Sequence, residues 1–151
     1  SMLYASMLAG VAINQAGSTL VHGLGYYLTA HHDLHHGVAN ALLLPHVLAY
    51  YAEATEKVEE LATSLGFEGW IELIEHVCRL ADETGIPGSL AVVGVTATEL
   101  DRMAEEAAFY RRNIENGPVI PSTEDIRRIY AECYEGREAL LKRLKQGRIA
   151  A

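Results

Sequence analysis

From Met2 to Ala30 the chain contains no Lys, Arg, Asp or Glu. An uncharged run of that length suggests a membrane span, a signal peptide or burial against other protein. A membrane span and a signal peptide are both disfavoured. No positive segment precedes the run, and Asn14, Gln15, Ser18, Thr19 and His22 interrupt its apolar character. Gly10, Gly17, Gly23 and Gly25 suit close approach between helices. Residues 2 to about 29 are therefore expected to form a helix apolar on every side, of the kind that sits centrally in a bundle.

The rest of the chain reads as helix after helix, with no convincing alternating strand pattern. A second apolar helix is expected from His36 to about Tyr51, with a kink or break at Pro45. Residues 53–65 follow, stopped by Gly66. Trp70 to Glu83 is amphipathic, with Ile71, Ile74, Cys78 and Ala81 on one side. Gly85-Ile86-Pro87-Gly88 then opens a loop. Leu90–Val95 is the one strand-like run. Thr96 with Glu99 forms a capping box for a helix over 97–112. Asn113 to Pro121 reads as a loop, and Ser122 or Thr123 caps a helix over 123–135. The tail 137–148 is expected to extend as a charged helix or to fray. The prediction is an all-α helical bundle of short connections, one domain over residues 1–151.

A formal net charge of −8, with acidic residues spread along helices, argues against a nucleic-acid partner. Cys78 and Cys133 stand far apart and outside any CxxC pair, so they read as core thiols of a reducing, cytoplasmic protein. No membrane association is expected.

Five of the seven histidines fall between His22 and His36. With Asp33 among them they form a candidate metal-binding cluster, since neutral imidazole suits zinc, iron, nickel and copper. His22 and His36 are fourteen positions apart. In one straight helix they would be separated by about 21 Å, at roughly 1.5 Å per residue. They can share an ion only if the chain reverses between Thr29 and His35. His22 would then lie within one helix and His36 at the start of the next.

The run Ala9-Gly10-Val11-Ala12-Ile13-Asn14-Gln15-Ala16-Gly17, then Leu20-Val21-His22-Gly23, then His36-Gly37-Val38-Ala39-Asn40-Ala41-Leu42-Leu43-Leu44-Pro45-His46, resembles the second signature of iron-containing (group III) alcohol dehydrogenases. Pro121 to Ile126, followed by Ile129-Tyr130, is similar to the family's closing loop and helix. The resemblance implies the fold of the helical C-terminal domain of dehydroquinate synthase-like and iron-containing alcohol dehydrogenase proteins. It implies that His22 and His36 are two metal ligands, for ferrous iron or zinc. The family's other two ligands, an Asp and a His, have no counterpart in these residues. Nor has its nucleotide-binding domain, and no Gly-rich phosphate loop is present.

Two positions depart from the commonest family pattern. Tyr26 stands where many relatives carry a second His, one turn after the first ligand. His35 replaces the usual Pro before the second ligand. Tyr26 and His35 are the candidate proton-handling residues, Tyr26 the poorer relay because an ordinary phenol titrates near 10.

The resemblance implies part of an NAD(P)-dependent oxidoreductase acting on a small alcohol or aldehyde, inactive by itself and self-associating through its apolar first segment. Maleylacetate reduction and glycerol oxidation are alternatives within the superfamily. A stand-alone helical binding or scaffold protein is the non-enzymatic alternative.

Overall fold

Gly17 divides the uncharged segment in two. In the computed structural model, which describes the backbone of residues 1–150 and the side chains of residues 1–147, α1 (Met2–Ala16) ends where Gly17 adopts φ 77°. Ser18 and an extended Thr19 follow before α2 (Leu20–His31) begins. A left-handed residue is easiest for glycine. Here Asn116 also holds the junction, its amide donating to the Ala16 and Ser18 carbonyls at 2.7 and 3.2 Å. The single buried helix expected over 2–29 is thus corrected: α2 is buried, whereas no residue of α1 is. Leu3, Met7, Val11 and Ile13 all stand open to solvent.

The remaining helices are α3 (His36–Ala54), α4 (Lys57–Ser64), α5 (Trp70–Glu83), α6 (Leu100–Ala108), α7 (Arg111–Ile114), α8 (Thr123–Glu135) and α9 (Arg137–Ala150). Helix α3 runs through Pro45 without a break. The helix gives up there the one backbone hydrogen bond that proline cannot donate. The strand-like run Leu90–Val95 forms a 3-10 turn at Ala91–Val93, closed by a left-handed Gly94. Its Leu90 amide bonds to Cys133 of α8 rather than to a neighbouring strand. The Thr96–Glu99 capping box is present, but the helix expected over 97–112 starts as a 3-10 turn and breaks after Ala108.

Helices α2 and α3 lie side by side at the centre. Helix α2 also packs on α6 and α7, and α3 on α5 and α8. Leu20, Leu24, Leu28, Leu42 and Leu43 are fully buried between them. A smaller cluster joins Ala49, Ile74 and Cys78 to Leu140 and Leu144 of α9, which is why the tail is docked instead of frayed. Arg137 anchors it. Although charged, it is nearly inaccessible, and it donates to the Ile86 and Pro87 carbonyls and pairs with Asp82. Both cysteines are buried and free, and burial pushes the Cys78 thiol up to about 11.

Candidate metal centre

Between α2 and α3 the chain turns back over His32 to His35. The amides of His32 and Leu34 both bond to the Leu28 carbonyl, and Asp33 takes the left-handed conformation that a short polar side chain tolerates. The reversal places His22, near the start of α2, opposite His36, the first residue of α3. Their ring centroids are 5.3 Å apart, with planes inclined at 51°.

Burial, and then the neighbouring imidazole of His36, lower the pKa of His22. Both causes favour a neutral ring with a free lone pair, the form in which imidazole serves as a ligand. Glycine accounts for the tight seat of this part of α2. A Cβ on Gly23 would press on Asn113 and Ile114 of α7 at 3.1 and 3.3 Å.

Tyr26, one turn after His22, stacks on His36 with ring centroids 6.0 Å apart and planes within 18°. It also packs against Tyr110, at 4.8 Å. His35 is exposed, and its Nδ1 accepts a 3.3 Å bond from the Gly37 amide, so it caps its own helix. The other two histidines of the turn pair with carboxylates on the far side of the α2–α6 contact. His31 meets Glu106 at 3.1 Å and His32 meets Glu99 at 3.0 Å.

Two contributors escaped sequence reasoning. Asn40 lies one helical turn after His36, with its Nδ2 3.0 Å from the His36 Nε2. Its i, i+4 spacing was a readable signal. Tyr110 comes from a remote segment and left none. Among the described residues no three His, Cys, Asp or Glu side chains gather in an arrangement able to hold a metal ion. Two imidazole nitrogens fit iron or zinc as donors but make only part of a coordination shell.

The sequence profile of the Fe-containing alcohol dehydrogenase family, C-terminal part, matches residues 1–134. The chain is 39% identical over 116 residues to 1,3-propanediol dehydrogenase of Citrobacter freundii, an alignment covering 71% of this chain and 30% of that protein. It is 36% identical over 115 residues to lactaldehyde reductase of Escherichia coli (strain K12), covering 70% and 30%. The crystal structure of a 1,3-propanediol oxidoreductase superposes with a TM-score of 0.79 at 34% identity, covering 88% of this chain and 37% of that one. The chain thus spans about a third of the length of the relatives it matches. Sequence and helical architecture agree, and the chain belongs to the Fe-containing alcohol dehydrogenase family, to whose C-terminal part it corresponds.

Proposed function

We propose that His22 and His36 are two ligands of the divalent metal site of an NAD(P)-dependent alcohol dehydrogenase, which oxidises a small alcohol or reduces the matching aldehyde. The observation that carries this reading is the 5.3 Å approach of two imidazoles from successive helices. Iron is the first choice of metal and zinc the second, since both accept neutral nitrogen donors. When bound, the ion supplies Lewis acidity towards an alcohol or carbonyl oxygen.

The chain's own residues do the rest of what can be assigned here. His22 and His36 present ring nitrogens from α2 and α3, and burial favours the neutral form of His22. Tyr26, stacked on His36, offers a hydroxyl that can donate to a substrate oxygen or hold a proton beside it. His35 is solvent-exposed and suits a relay to bulk water better than contact with substrate. The remaining ligands and the dinucleotide site are assigned to polypeptide beyond these residues, so the chain by itself is expected to be catalytically silent.

Zinc or anaerobic ferrous titration tests the reading. The chain should bind weakly, and His22→Ala and His36→Ala should each remove binding. Retained affinity in both variants would end it. Adding NAD, ferrous iron and 1,3-propanediol to this chain alone should give no turnover.

Helix α1 supports self-association, because its uncharged surface is exposed along its whole length. A sizing experiment should show a species larger than a monomer. No helix among the described residues is long and apolar enough to cross a membrane. A cytoplasmic setting is consistent with two free, buried cysteines.

A further inference from the structure

The Asn40 amide touches both its own helix and the neighbouring α2. Its side-chain Nδ2 lies 3.0 Å from the His36 Nε2. Its Oδ1 is buried without any hydrogen-bond partner. That oxygen is pressed against Gly25 of α2, so closely that a Cβ at Gly25 would overlap it.

The amide could in principle be turned over, but the surroundings choose its sense. With oxygen towards Gly25, the carbonyl faces an aliphatic Cα–H, a weak but acceptable donor. The reverse would set an NH2 group against the Gly25 methylene, which cannot accept a hydrogen bond. The NH2 therefore points at His36. An amide nitrogen only donates, so the His36 Nε2 must accept. In the neutral ring the proton then sits on Nδ1, and the only lone pair is at Nε2.

Gly25 makes this arrangement possible. It follows Leu24, whose carbonyl accepts a 2.8 Å bond from the buried Tyr130 hydroxyl, so the backbone facing Asn40 is tied to α8. Only a residue without a side chain leaves room there for the amide.

We infer that Asn40, seated against Gly25, is a positioning residue for His36: it holds the ring by its Nε2 edge and selects the tautomer whose lone pair is at Nε2. This rests on the reading of His36 as a ligand. It adds that the ligating atom is Nε2, and that the Asn40 amide holds that lone pair unprotonated until an ion takes its place.

The test reads the ring directly, without metal. In the 15N-labelled chain, at a pH above histidine titration, two-bond proton–nitrogen correlation reports the His36 tautomer. The expected result is Nδ1–H in the unaltered chain. Asn40→Asp, whose carboxylate can only accept, should convert it to Nε2–H. Asn40→Ala and Gly25→Ala should give mixtures. An ion at Nε2 must displace the amide, so Asn40→Ala should bind zinc no more weakly than the unaltered chain. Circular dichroism melts identify any variant that fails to fold. Should Gly25→Ala do so, the two partly exposed Asn40 variants carry the test. An Nε2–H ring in the unaltered chain, or no tautomer change in Asn40→Asp, overturns the inference. Tautomers as expected, with zinc affinity indifferent to His22→Ala and His36→Ala, would instead defeat the metal reading and leave the hold of Asn40 on the ring intact.

Discussion

The hydroxyl of Tyr130, on a fully buried side chain in α8, donates a 2.8 Å hydrogen bond to the Leu24 carbonyl in α2. The two residues are far apart in sequence, and the bond fixes the helix that carries His22 against the opposite side of the bundle. Tyr130→Phe keeps the ring and removes only this bond. A loss of about 1 kcal/mol is expected in chemical denaturation. An unchanged midpoint would show that the hydroxyl contributes nothing net.

His46 should make the fold acid-sensitive. It is completely buried, neither ring nitrogen has a partner, and burial, reinforced by nearby Arg137 and Arg143, lowers its pKa to about 3. The unfolded imidazole titrates near 6.5. Between these values the unfolded chain takes up the proton and the folded chain does not. Stability should therefore fall as pH drops from about 6.5 towards 3 and level off below that. His46→Leu should flatten the curve in this window, measured as the difference between two denaturation series. Parallel curves for the two proteins would refute the assignment.

Arg137 joins the start of α9 to the end of α5. Its guanidinium serves two backbone carbonyls and Asp82 at once, a fork that one ammonium cannot reproduce. Arg137→Ala should cost about 2–3 kcal/mol, because the Ile86 and Pro87 carbonyls lose a charged donor. Arg137→Lys should recover less than half of the loss in thermal melts; full recovery would mean that charge alone matters.

Ser122 caps α8, its Oγ accepting from the Asp125 amide at 3.1 Å while Asp125 returns bonds to Ser122. Those bonds hold the Asp125 carboxyl below the usual carboxylate range. Ser122→Ala should destabilise by about 1 kcal/mol at neutral pH. The depressed carboxyl contributes stability above its unfolded pKa and loses it as pH falls through the folded one, so the gap between variant and parent should narrow in acid. A gap that widened on acidification would contradict this sign.

Several elements were legible because their causes are local. Helix α5 shows its apolar stripe in the spacing of Ile74, Cys78 and Ala81, the Thr96–Glu99 capping box read directly, and so did a cap for α8 at Ser122 or Thr123. The reversal between His22 and His36 was the condition that the ligand pair implied by the resemblance placed on the chain, since no straight helix could bring them within reach. The failures share another cause. Apolar composition over residues 2–16 indicates a helix but not whether anything covers it, and α1 has no buried residue. The β-branched run Leu90–Val95 lacks a neighbouring strand to pair with, so its backbone closes on itself in a 3-10 turn and bonds to Cys133.

Residue order alone specified that this chain is helical and that two histidines fourteen positions apart flank a turn-rich segment. Periodicity, caps and motifs act over a turn or two, within the reach of neighbouring residues. Which partner each imidazole meets was decided by segments brought together across the bundle. The Asn40 oxygen takes the space left by Gly25, Tyr110 supports Tyr26, and Glu99 and Glu106 draw His32 and His31 away towards α6. Those choices depend on how helices pack, and packing joins residues that no local pattern connects.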